Sequence, residues 1–168
     1  MTLEKLDLSS VVRTSGAGQD LTVLLVGSVE DDKVSQESVF ARLPWPARRA
    51  RGCKEARPLI YRDSFPVIVS ERDLPDGDWK DILFLTQARE KSPLLIVTSR
   101  LADESLWSEV LNLGGYDVLV KPFDPAEVWR TVSLAWDRWM IQCEMAPKRK
   151  AGRTVRKEHH VQQSGRGN

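Results

Sequence analysis

Short apolar runs recur along this chain at Thr22–Val26 (TVLLV), Val67–Ser70 (VIVS), Leu94–Thr98 (LLIVT) and Asp117–Val120 (DVLV). They are too continuous for a sheet with one wet face, and turn residues bound them, so they read as strands buried on both sides. Segments of helical length separate them. One runs from Glu30-Asp31-Asp32, acids suited to a helix start, to about Leu43, with Val34, Val39, Phe40 and Leu43 as inward candidates. Asp78 to about Arg89 is the next, and Asp103, a capping residue, opens another with Leu106, Val110 and Leu113 on one face. Gly114-Gly115 closes it where a positive φ is commonly needed. The last begins at Asp124-Pro125 with Glu127 completing a capping-box pattern, and runs to about Gln142.

Two weaker segments fill the remaining gap. Ala47–Gly52 (ARRARG) suits only a sheet edge, where Arg48, Arg49 and Arg51 discourage pairing with other chains. Cys53 to about Arg62 is a short helix interrupted by Pro58, which removes one backbone donor. Strands alternating with helices predict an α/β fold, a doubly wound parallel sheet covered on both faces. In such sheets ligands meet the carboxyl ends of the strands.

Polar residues stand at three of those ends: Glu71 after the third strand, Thr98-Ser99 after the fourth, and Lys121-Pro122 after the fifth. This ordered set, with the phrase ERDLPDGDWKDIL that follows Ser70, resembles the receiver domains of bacterial response regulators over roughly residues 21–142. The resemblance implies a flavodoxin-like five-stranded sheet in the order 2-1-3-4-5 and a role in phosphorelay signal transduction, the two-component system. It implies a phosphoacceptor at Glu71, where the family carries aspartate. Thr98, Ser99, Lys121 and Pro122 take the switch and phosphate-contact positions.

Departures from the family pattern carry the functional reading. The family holds Mg²⁺ with two adjacent acids directly after the first strand; here those positions are Gly27 and Ser28. Phosphoryl transfer to a carboxylate depends on positioning and charge neutralisation, so losing the metal clamp removes its main electrostatic support. Glu71 carries one methylene more than aspartate, about 1.5 Å of extra reach, which displaces in-line attack. The expectation is a permanent Glu71–Lys121 ion pair imitating the phosphorylated state. The family's switch aromatic is replaced by Val118, and Tyr116 is expected on the same side of that strand, one pleat earlier.

The expected molecule is therefore an atypical pseudo-receiver that acts by protein–protein interaction. It has no catalytic residue, no metal ligand and no cofactor, with Mg²⁺ entering only if the acidic site works. It is not an enzyme on this reading. The alternative is a working phosphoacceptor at Glu71 or at Asp73, whose simpler reading is a turn-forming residue. The expected partner is a signalling protein or sensor kinase. A homodimer through the last two helices is also open, because Trp107, Trp129, Trp136 and Met140 extend the apolar surface beyond what one sheet-covering face needs.

Charge is unevenly spread. From Met145 to Asn168 seven basic residues face one acid, a net +6 in a chain of formal charge +1. The expected organisation is a flexible leader over 1–20, a receiver-like domain over 21–144 and a basic disordered tail over 145–168. A nucleic-acid-associated protein acting through that tail is a third reading, although the tail lacks interleaved aromatics and His159-His160 is too isolated for a metal site. Cys53 and Cys143 show no metal-ligand spacing. No signal peptide or membrane-length apolar stretch is seen, so reduced thiols in the cytoplasm are expected.

Overall fold

The structure, a computed structural model, describes residues 21–27, 39–40 and 42–146. The leader, Ser28, the acids at 30–32, Val34 and the tail beyond 146 lie outside the described residues. Of the first expected helix only Val39 and Phe40 are described as helical, and both are buried.

Five strands form one parallel sheet: β1 (Val23–Val26), β2 (Ala47–Ala50), β3 (Val67–Glu71), β6 (Leu94–Ser99) and β7 (Asp117–Val120). Their spatial order, β2-β1-β3-β6-β7, is the expected 2-1-3-4-5 once a small hairpin is set aside. That hairpin, β4 (Asp73–Leu74) with β5 (Gly77–Asp78), is antiparallel and stands apart from the sheet. β2 takes the edge, with its three leading residues exposed, so the arginine-rich segment sits where unpaired backbone must be guarded. Every residue of β1 is buried, as an apolar run covered on both faces requires.

Strand alternation divides the core. On one face Leu24, Val26, Ile68, Leu95, Val97 and Val118 pack against α1 (Cys53–Arg62), α2 (Trp79–Gln87) and α3 (Glu104–Leu113). On the other, Val23, Leu25, Val67, Val69, Ile96 and Leu119 meet Val39, Phe40 and α4 (Pro125–Met145) through Val128, Val132 and Ala135.

The helix ends follow local chemistry. Asp103 accepts from the Leu106 amide, Asp124 accepts from those of Ala126 and Glu127, and Pro125 takes the first helical position. A reciprocal capping box forms at Asp78, the expected start of that helix, with Asp81, a box not marked from the sequence. Gly114 adopts φ 101° at the end of α3. α1 tolerates Pro58 in its interior, and α4 continues to Met145, past the expected end at Gln142.

Candidate functional site

Strand periodicity gathers the site. Leu25, Val69, Ile96 and Leu119 all face the α4-side core, and side chains repeat every second residue. Gly27, Glu71, Thr98 and Lys121 follow each of these by two, so they emerge on the same face at the carboxyl ends of four strands. The sheet order reverses between β1 and β3, and Gly27 and Glu71 stand at that switch point. Backbone bonds carry the ladder outwards: the Arg72 amide donates to the Thr98 carbonyl at 2.9 Å, and the Lys121 amide to the Ser99 carbonyl at 2.9 Å.

Lys121 Nζ donates to Glu71 Oε1 at 2.7 Å, and the two side chains are only 8 % and 13 % exposed. A charge-assisted bond this short, shielded from water, holds both groups in one geometry. The same ammonium lies 5.8 Å from the centroid of the Phe123 ring, which packs edge-on against Phe40. Phe123 was not singled out from the sequence, although its place two residues past Lys121 marks it. Pro122 follows a cis peptide bond from Lys121.

Thr98 and Ser99, paired in the sequence reading, separate here. Ser99 lies on the opposite face and closes a local turn: its hydroxyl donates to the Leu101 carbonyl and accepts from the Leu101 amide. Thr98 is buried on the site's face, and its hydroxyl has no hydrogen-bond partner among the described residues. A cleft of about 250 Å³ opens here, lined by Glu71, Arg72, Asp73, Thr98, Ser99, Arg100, Leu101 and Lys121, so Ser99 still borders it despite facing the other way. Three cations line it against two acids. Asp73, the alternative acceptor, is 88 % exposed in the hairpin and only 3.9 Å from Arg72 Nε.

Gly27 has a structural neighbour that the sequence did not reveal. A Cβ at this position would lie 2.7 Å from both Cγ and Cδ of Glu71. The glutamate's extra methylene thus occupies the space left by the glycine. Among the described residues no group of three or more His, Cys, Asp or Glu is placed to hold a metal ion. With Glu71 engaged by Lys121 and no carboxylate at 27, the described residues do not fit Mg²⁺.

The switch-aromatic position is filled by Val118, which is buried in the core on the α1–α3 side. Tyr116 was expected on the same side as Val118 and is not. It precedes β7, so the pleat does not reach it, and it packs against the opposite cluster.

The expected interaction surface is half-buried. Trp107 packs on the α1–α3 core and Trp136 on the α4-side core, where it stacks on buried Trp139 at 5.9 Å. Trp129 and Met140 are partly covered as well. The large apolar side chains most open to solvent on α4 are Leu134, Ile141 and Met145, which sequence reasoning missed. No helix among the described residues is long and apolar enough to cross a membrane.

No protein-family model matches the chain. The chain is 28 % identical over 125 residues to the response regulator protein PilR of Pseudomonas aeruginosa, a match covering 74 % of this chain. It spans 28 % of that relative's length. Among solved structures, the signal receiver domain of an HD domain-containing protein from Pseudomonas fluorescens superposes with TM-score 0.69 at 21 % identity, over 80 % of this chain and 99 % of that one. The receiver domain of Francisella response regulator 1452 gives TM-score 0.62 at 26 % identity, over 71 % and 98 %. A CheY-like receiver domain protein from Methanospirillum hungatei gives 0.63 at 18 %, over 74 % and 99 %.

Proposed function

We propose that this chain, a CheY-like response-regulator receiver domain of two-component signalling, is a pseudo-receiver that signals by binding a partner without a Mg²⁺-dependent phosphorylation cycle. The observation that carries this reading is the shielded 2.7 Å bond from Lys121 to Glu71. In it the acceptor-position carboxylate is already neutralised and held. A fixed carboxylate beside the lysine supplies part of the charge that phosphorylation would otherwise add, with fewer acceptor oxygens than a phosphoryl group. On this reading the receiver-like domain spans residues 21–144, with a leader before it and a basic tail after it. Its partner is a sensor kinase or another signalling protein, or a second copy engaging α3, β7 and α4. No chemistry is assigned to the chain's own side chains on this reading.

Intact mass after incubation with a small-molecule phosphodonor and Mg²⁺ tests it. The natural protein is expected to gain no phosphate. An adduct on Glu71→Asp alone assigns the block to the glutamate, and none on either assigns it also to the missing metal acids. A phosphate adduct on the natural protein overturns the reading.

A second reading draws on a different observation. The buried Thr98 hydroxyl has no partner among the described residues, and Thr98 lines a cleft with three cations, an arrangement suited to an oxyanion. On this reading Glu71 is itself phosphorylated, the adduct appears on the natural protein, and it is lost in Glu71→Gln. The exposed Asp73 is the weaker acceptor, because nothing in the hairpin orients it towards Lys121.

A further inference from the structure

We infer that Gly27 is a positioning residue, and that it forms one steric unit with Glu71: the missing side chain at 27 is the seat of the glutamate in its Lys121-bound position. The inference rests on the fixed-charge reading of the site and gives that reading a mechanical cause. β1 and β3 are parallel neighbours with Val26 beside Ser70, so the next pair in register is Gly27 beside Glu71, on one face. A Cβ at 27 would approach Glu71 Cγ and Cδ to 2.7 Å and Oε2 to 3.0 Å, closer than carbon atoms pack.

Glycine is not needed here for its backbone freedom, since its φ lies outside the left-handed region. It is needed for space. The three atoms nearest the added carbon all belong to the Glu71 side chain, so the glutamate is the group that must give way. Its carboxylate is anchored at 2.7 Å to Lys121, and swinging aside breaks that bond. Any side chain at 27 therefore competes with the Glu71–Lys121 pair. The two departures from the receiver pattern, an absent acid at 27 and a lengthened acid at 71, are one structural change. Restoring the acid at 27 alone would neither rebuild a metal site nor preserve the pair.

A double-mutant cycle in Gly27→Ala and Glu71→Ala tests this, read by denaturant unfolding and by acetylation of Lys121 followed by peptide mass spectrometry. Gly27→Ala in the natural background is expected to destabilise the fold and to raise Lys121 acetylation about tenfold, the scale of coupling between contacting residues. In the Glu71→Ala background neither Cγ nor Cδ is left to meet the added carbon, so the same alanine should cost several-fold less in the folding equilibrium. If Gly27→Ala does not fold, recovery of a folded Gly27→Ala/Glu71→Ala protein supports the interlock. Equal costs in both backgrounds overturn it, as do unchanged Lys121 acetylation in a folded Gly27→Ala protein or failure of both variants to fold. A phosphate adduct on the natural protein would defeat the fixed-charge reading without altering the coupling. Additive costs would defeat the interlock and leave that reading standing.

Discussion

Glu71 and Lys121 leave water together, and each makes the other's burial tolerable. Charge taken out of water carries a desolvation penalty that pairing offsets, so losing one partner is worse than losing both. Lys121→Met is expected to destabilise the domain by about 3 kcal/mol, the lower end for a buried pair. Glu71→Leu should cost a similar amount, and the double substitution less than the sum, because no charge is then stranded. Urea denaturation of the four proteins measures this. A sum of the single effects would show that the two side chains are held independently. The pairing itself was legible in the sequence, since both residues fall just past apolar runs whose period places them on one face. The seat provided by Gly27 was not, because it depends on a distance between side chains across two strands.

At the scale of elements, the hairpin β4–β5 explains how the loop after Glu71 is held. Asp76 accepts from the backbone amides of Cys53 at 2.7 Å and Lys54 at 2.8 Å, so α1 takes its cap from a loop more than twenty residues away. Gly52, at the cap position itself, has no side chain for the task, and the Asp76 carboxylate occupies the place a Cβ there would fill. Asp76→Ala should lose about 1 kcal/mol, the usual worth of a helix cap. The bond from the Lys54 amide leads in holding the Asp76 carboxyl below its ordinary range. Its contribution is therefore present above an unfolded value of about 3.9 and fades as the pH falls through the lower folded value. The stability gap between natural protein and Asp76→Ala, measured at neutral pH and again in acid, should narrow accordingly.

Cys53 reports on the same contact. Burial first, then Asp76, Asp81 and Asp78, push its thiol up to about 11. At pH 8 only about one molecule in a thousand then carries the thiolate that alkylates. Alkylation of the folded protein should be far slower than of the unfolded chain, and Asp76→Ala should speed it by removing one of the acids. The sequence showed the turn residues Pro75 and Gly77 but not this hairpin. Two-residue strands are too short for periodicity to reveal, and a cap drawn from another element leaves no local signature.

For the molecule as a whole, what was legible and what was not divide by range. Continuous apolar runs fixed the strands, arginines identified the edge strand, and strand ends located Glu71, Thr98 and Lys121. The inner side of α4 was legible, because Val128, Val132, Ala135 and Trp139 share one helical face, but its outer side was not, because apolar residues cover most of its circumference. The structure turns Val128, Val132, Ala135 and Trp139 inward, half-buries Trp129, Trp136 and Met140 on the flank, and leaves Leu134, Ile141 and Met145 open. These last three are spaced seven and four residues apart, which puts them on one stripe of the helix. Leu134 is 52 % exposed, Ile141 49 % and Met145 79 %, more than a helix packed on one side needs to leave apolar. If α4 carries the partner surface, a charge in the middle of that stripe should abolish association without unfolding the domain. Ile141→Lys is expected to keep its unfolding midpoint and to sediment as a monomer at concentrations where the natural protein self-associates. Association that survives Ile141→Lys but is lost in Trp129→Ala would move the contact to the indole flank. A natural protein that stays monomeric throughout would leave the stripe to a different signalling protein and remove the homodimer from the proposal.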